Sequence, residues 1–281
     1  MVCGPTASGK SALSDDLAEM LTQEHGTFVP TLVVDSMQVY REIPTITNQD
    51  RLRPAELVGI VPAAEEWSVA RHKESAERII ARTQTPFVLD AGTGMYLNAI
   101  LLDLPLAPQV DATTRRLAEN LTSGARNPRR TARQKELELA GAPPRTSIWG
   151  GEPRYDTTLI YLRPDQQTLD AAIQRRSEQI VTRGLEEARR LAQMLAQMRE
   201  DGAGITPSLL DSIGVRELLE HLYDTITAEE ATDRITTRTR QLARRQRRWF
   251  DKLVRTLAGR VPTTVVKDLD DVNTMHDRIW A

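Results

Sequence analysis

Residues 4–11 read Gly-Pro-Thr-Ala-Ser-Gly-Lys-Ser, the complete G-x-x-x-x-G-K-[ST] spacing of a phosphate-binding loop. Gly4 and Gly9 allow the backbone to turn successive N–H groups inward, a nest for an anion at the start of a helix. Pro5, Thr6, Ala7 and Ser8 complete the cradle. Lys10 adds a mobile positive charge, and the Ser11 hydroxyl is placed to ligate a phosphate-bound Mg²⁺. The apolar spacing Ala12, Leu13, Leu17, Leu21 supplies the helix behind the loop. The pattern implies a di- or triphosphate ligand and leaves open what is done with it.

Two further segments carry groups suited to chemistry. Asp35 stands in Val34-Asp35-Ser36-Met37-Gln38-Val39-Tyr40-Arg41, at the end of a β-type run. A carboxylate there can hold Mg²⁺ through water, act as a general base, or cap the next helix. Thr93 stands in Asp90-Ala91-Gly92-Thr93-Gly94-Met95-Tyr96, where two glycines let the backbone come close to a ligand. Its hydroxyl can donate to a phosphate oxygen, and it suits a helix N-cap equally well. A basic stripe runs from Arg234 to Arg260 through Arg238, Arg240, Arg244, Arg245, Arg247, Arg248, Lys252 and Arg255, with Asp251 the only acid. Such a stripe fits a polyanion such as RNA, or a diphosphate, and it also fits a solvated helix face.

A sheet must position these groups. Thr31–Asp35, Pro86–Asp90 and Thr158–Leu162 are β-rich and end in polar or glycine-rich turns, with helical patterns between the first two and after the third. That alternation predicts an α/β fold, a phosphate-loop type of parallel sheet covered by helices. In a doubly wound sheet the strands' carboxyl ends form the ligand crevice, which would bring Asp35 beside the loop. Met1-Val2-Cys3 reads as the stub of the first strand, short enough to suggest a start further upstream. Residues 103–151 are polar and read as a helical excursion, so the expected division is a core of 1–104 and 156–281 with an insertion at 105–155. From Gln166 the pattern is helical almost to Arg260, with a break near Gly202–Pro207, and Thr263–Lys267 suggests a late strand.

Composition bounds the class. The 281 residues are 40% hydrophobic and 27% charged, ordinary for a soluble globular protein. No apolar run approaches a membrane span, and no signal-peptide pattern opens the sequence. A lone cysteine, Cys3, excludes an internal disulfide framework and fits a reducing cytoplasm. The histidines at 25, 72, 221 and 276 are scattered, which argues against a zinc site.

Taken in order, Gly-Pro-Thr-Ala-Ser-Gly-Lys-Ser, Asp-Ser-Met-Gln-Val-Tyr-Arg, Ile46-Thr-Asn48 and Ala-Gly-Thr-Gly-Met-Tyr resemble the tRNA dimethylallyltransferase (isopentenyl transferase) family. Ser212-Ile-Gly-Val-Arg-Glu217 is similar to that family's Ile-Gly-Tyr-Lys/Arg-Glu segment. Thr239-Arg-Gln-Leu-Ala-Arg-Arg-Gln246, followed by Trp249, is similar to its Thr-Arg-Gln-x-Ala-Lys-Arg-Gln with a nearby Trp. The resemblance implies transfer of a dimethylallyl group from its diphosphate to N6 of an adenine next to a tRNA anticodon, at position 37. It implies that the loop binds an allylic diphosphate with Mg²⁺ as cofactor, and that Asp35, Thr93 and Arg176 lie at the reaction centre. Asp35, Ser36, Met37 and Gln38 would line the adenine side. Arg115 falls on a further family arginine, and Arg240, Arg244 and Arg245 would contact tRNA. A monomer in the cytoplasm is expected.

Two departures from the family pattern stand out. The insertion after the Gly-Thr-Gly strand is shorter than in the bacterial enzymes, and Gln49 stands where close relatives usually carry Lys. A reduced clamp makes a free adenine nucleotide the alternative acceptor. A small-molecule kinase is a third reading, but it leaves the Gln-Val-Tyr-Arg and Thr-Arg-Gln segments without a role. An RNA-binding protein without catalysis leaves Lys10, Ser11, Asp35 and Thr93 without one.

Overall fold

Short runs of Val, Leu, Ile and Thr build the centre of the molecule. In the computed structural model, which describes residues 1–102, 106, 110–125, 128–142, 147–201 and 204–267, six strands form one sheet. They are β1 (Val2–Cys3), β2 (Thr31–Val34), β3 (Ala55–Glu56), β4 (Val88–Ala91), β5 (Leu159–Leu162) and β6 (Thr263–Val266). Their order is β3-β2-β4-β1-β5-β6, and every pairing is parallel. Strands β1, β2, β4 and β5 are buried along their whole length, as a parallel sheet covered on both faces requires. The order reverses around β1, so the ligand crevice belongs outside the carboxyl ends of β1, β2 and β4.

The helices are α1 (Lys10–His25), α2 (Pro44–Thr47), α3 (Val69–Arg82), α4 (Gly94–Leu101), α5 (Ala112–Thr122), α6 (Pro128–Leu139), α7 (Gln166–Arg183), α8 (Leu185–Asp201), α9 (Pro207–Leu210), α10 (Val215–Leu222) and α11 (Ala228–Leu257). Leu13, Leu17, Ala18 and Leu21 of α1 cover one face of the sheet, against Val2, Val88, Ile160 and Leu162. Leu97 and Ile100 of α4, with Phe250, Leu253 and Leu257 of α11, cover the other face against Leu32, Leu89 and Tyr161. A third cluster joins Ile46 of α2 to Ile180, Ala188, Leu218 and Ile235 of the C-terminal helices. Helix α11 opens with a capping box, since Thr227 Oγ1 accepts the Glu230 N–H (3.1 Å) and Glu230 Oε2 accepts the Thr227 N–H (2.8 Å). Its 30 residues span about 45 Å.

Several boundaries differ from expectation. Strand β4 begins at Val88 rather than Pro86, because Pro86 has no N–H to pair and the ladder with β2 starts at Thr31 opposite Val88. It runs through Ala91, which puts Asp90 inside the strand. The two-residue β3 was not anticipated. The helical run after Gln166 breaks at Gly184 and again after Leu210 and Leu222, giving α9 and α10. Of the expected division, the boundary at 104–105 and residues 268–281, with His276, lie outside the described residues, as does Gly202.

Candidate active site

The chain leaves β1 at Gly4 and enters α1 at Lys10. Between them Ala7 and Gly9 take left-handed backbone angles, φ 62° and 84°. No side chain caps α1, so its first amides are left for an anion. Two loop amides are committed inside the protein: Thr6 N–H donates to Gln246 Oε1 (2.8 Å) and Ser8 N–H to the Pro5 carbonyl (3.3 Å). Gly4 leaves room for Ser8 Oγ, which a β-carbon would meet at 2.7 Å.

A cavity of about 500 Å³ opens at this loop, within the range of small-molecule sites. Thr6, Ala7, Gly9, Lys10 and Ser11 line one side. Asp35, Met37 and Gln38 enter from the end of β2, Arg175 and Arg176 from α7, and Thr239, Leu242 and Gln246 from α11. Gly4, Pro5, Ser8, Ser36 and Thr93 do not line it. Lys10 is buried, yet its ammonium has no ion pair among the described residues.

Asp35 caps a turn rather than a helix. Its Oδ1 accepts the N–H groups of Met37 (2.8 Å) and Gln38 (3.3 Å), while Oδ2 has no hydrogen bond among the described residues. Oδ2 lies against Gly92, where a β-carbon would come within 2.7 Å of it and 3.2 Å of Lys10 Cε. The bare glycine is what lets the carboxylate and the lysine chain meet. Thr93 sits at the N-cap of α4 without making a capping bond; its Oγ1 accepts the Ser36 N–H instead (3.2 Å). Arg176 donates from Nη2 to the Ile46 carbonyl (3.2 Å). Burial lowers its guanidinium from the usual value, and the charge of Asp35 pulls the other way. Arg176 remains charged, as arginine does in proteins.

The basic stripe divides by face. Arg238 pairs with Glu217, Arg234 with Glu220 and Arg240 with Asp170 (2.6, 2.7 and 3.3 Å), and Arg247 donates to Gln166 (2.9 Å). Arg244, Arg245 and Arg248 are exposed and make no ion pair among the described residues. Arg115 on α5 lies away from the cavity, 3.8 Å from Glu66.

Some residues at the site were not singled out in the sequence. Gln246 bonds the loop through Thr6 and the Gly92 carbonyl through its own Nε2 (2.9 Å). Its signal was present: Thr239, Ala243, Gln246, Phe250 and Leu253 keep the three- and four-residue spacing of an inward face. Glu187 of α8 accepts the N–H groups of Thr45 (2.7 Å) and Ile46 (3.1 Å), which fixes α2 beside Arg176. Arg51, with Asp15 and Asp90, had no local signal.

Mg²⁺ bound to a diphosphate asks for one or two protein oxygens. Ser11 lines the cavity with its hydroxyl unpaired among the described residues, and it fits that role. No group of three or more His, Cys, Asp or Glu that could hold a metal by itself occurs among the described residues.

The IPP transferase family model matches residues 38–140 and 116–253. A tRNA dimethylallyltransferase of Rubrobacter xylanophilus is 57% identical, with 100% of this chain and 97% of that protein covered. The chain belongs to the IPP transferase family. A second relative, the tRNA dimethylallyltransferase of Corynebacterium efficiens, is 34% identical over 89% of this chain and 90% of its own. Among solved structures, the full-length tRNA isopentenylpyrophosphate transferase of Bacillus halodurans superposes with a TM-score of 0.70 at 26% identity, covering 99% of this chain and 94% of that one. The family's shared fold accounts for the parallel sheet and the helices around it. Among the described residues of this IPP transferase, no helix is long and apolar enough to cross a membrane.

Proposed function

We propose that the protein moves the dimethylallyl group of dimethylallyl diphosphate onto N6 of an adenosine in tRNA, at position 37. The observation that carries this reading is the meeting of Lys10, Ser11, Asp35 and Arg176 at one cavity, in a chain of the IPP transferase family. An exocyclic adenine amine is a poor nucleophile, because its lone pair is delocalised into the ring. As N6 bonds to C1 of the allyl group, the C1–O bond breaks and its electron pair leaves with pyrophosphate. Asp35 takes the N6 proton on Oδ2, the oxygen that its turn does not use. Lys10, the free amides at the start of α1 and Arg176 meet the negative charge that grows on the leaving group. The Thr93 hydroxyl, which accepts the Ser36 N–H behind the cavity lining, steadies the segment that carries Asp35. Mg²⁺ held by Ser11 and the diphosphate would add charge neutralisation.

Met37 and Gln38 form the adenine side. The base must leave its stack to reach them, at a cost of a few kcal/mol. Arg244, Arg245 and Arg248 grip the RNA backbone, with Arg115 extending the contact from α5. The enzyme works in the cytoplasm as a monomer. Incubation with labelled dimethylallyl diphosphate and either bulk tRNA or AMP, followed by nucleoside analysis, tests the reading. Labelled N6-dimethylallyl adenosine from tRNA is expected. Label on AMP alone moves the acceptor to the free nucleotide, and ATP turnover without prenyl transfer overturns the assignment.

A further inference from the structure

Arg51 lies four residues past α2, with its side chain only 4% exposed. Its Nη2 and Nε donate to Asp15 Oδ1 of α1 (2.6 and 3.2 Å), and its Nη1 donates to Asp90 Oδ2 of β4 (2.5 Å). Nη2 also reaches the Ser11 carbonyl (3.3 Å). Asp15 Oδ2 accepts the Leu52 N–H (3.2 Å), which closes the arrangement on the same segment. Both carboxylates are buried as deeply as the guanidinium.

One side chain therefore joins two pieces of the cavity to the strand behind it. Asn48, Asp50 and Leu52 form the cavity's wall, Ser11 belongs to the diphosphate loop, and Asp90 stands two residues before Gly92, on which Lys10 and Asp35 meet. Four of the five N–H donors of Arg51 are spent on protein oxygens and two carboxylates offset its charge, so its main use is inside the protein. A planar fork with fixed spacing can hold two carboxylates at once, which a lysine ammonium on a flexible stem cannot reproduce.

We propose that Arg51, braced by Asp15 and Asp90, is a positioning residue that sets the distance between the wall at 48–52 and the diphosphate loop. The inference rests on reading the loop as the dimethylallyl diphosphate site. Because Arg51 acts through Ser11 and the wall, its loss should weaken use of the diphosphate and spare RNA binding.

Two variants test this. Arg51→Lys keeps the charge and loses the fork. The triple variant Arg51→Met, Asp15→Asn, Asp90→Asn removes the buried charges together, so that no carboxylate is left buried without a counter-charge. KM for dimethylallyl diphosphate at saturating tRNA, kcat, tRNA Kd and Tm are measured on each. A rise of tenfold or more in diphosphate KM is expected in both, with kcat less affected, tRNA Kd within twofold and the Tm of the triple variant close to wild type. A diphosphate KM within twofold of wild type in the triple variant overturns the proposal, as does an equal loss of tRNA affinity. Wild-type protein that fails to use dimethylallyl diphosphate overturns the underlying reading; wild type that uses it, beside unaffected variants, overturns the role of Arg51 alone.

Discussion

The two carboxylate oxygens of Asp35 differ in their surroundings. Oδ1 is tied to the turn through Met37 and Gln38, and Oδ2 is left beside Lys10 and Gly92. Asp35→Asn keeps the turn-capping oxygen and removes the proton acceptor. Single-turnover transfer should fall by about 10² to 10⁴, the usual weight of a general base, while diphosphate affinity holds. A parallel collapse of diphosphate binding would make Asp35 chiefly a metal ligand. At this scale the meeting of Lys10, Ser11 and Asp35 at one cavity was legible in the sequence, the first two from the loop's spacing and Asp35 from its place at the end of a β-type run, which left its role open. Arg51 was not. Its partners Asp15 and Asp90 are far away in sequence, and a long-range ion pair leaves no periodic trace. The loop itself was read too generously, since the Thr6 and Ser8 amides bond inward.

Helix α11 does different work on its two faces. Thr239, Ala243, Phe250, Leu253 and Leu257 pack inward, and Gln246 in the same stripe ties Thr6 to Gly92. Gly94 must be glycine for this packing, because a β-carbon would lie 2.2 Å from Trp249 Cδ1. Gln246→Ala should cost about 1–3 kcal/mol of stability through lost and unpaired hydrogen bonds. It should also weaken diphosphate binding, measured by titration, because the loop loses its tether; unchanged affinity would show that the loop holds its shape alone. Outward, Arg244, Arg245, Arg248 and Arg255 are exposed without an ion pair among the described residues, whereas Arg240 is paired with Asp170. Replacing Arg244 or Arg245 by Ala should lower the slope of log K for tRNA against log salt by about 1, and Arg240→Ala should leave the slope alone. The sequence made the helix and its charge evident. It did not say which arginines were spent inside, since their acidic partners lie on α7 and α10.

For the whole molecule, the order of strands and helices was legible from the alternation of β-rich and helical runs. The short β3 and the breaks that make α9 and α10 were not, because elements of two to eight residues barely establish a period. His72 gives the fold a pH dependence. It is fully buried, its Nδ1 accepts the Trp67 indole N–H (3.0 Å), and burial pushes its pKa from 6.5 down to about 4, with the Val33 carbonyl opposing. Above pH 6.5 the ring is neutral in folded and unfolded chains alike and has no effect. Below it the unfolded chain takes up a proton that the folded chain refuses until about pH 4. Stability should therefore decline across that window, by about 3 kcal/mol in full. Tm measured from pH 7 to 4 should fall less steeply in His72→Gln than in wild type; equal slopes would place the effect elsewhere. The position of β1 has a further consequence, in time rather than in energy. This two-residue strand at the centre of the sheet pairs with Asp90–Ala91 and with Ile160–Tyr161. The ribosome makes it before both of these neighbours, and the second emerges only well over a hundred residues later. At about 5–20 residues per second that wait lasts roughly ten to thirty seconds, during which the phosphate loop has no complete sheet to hold it.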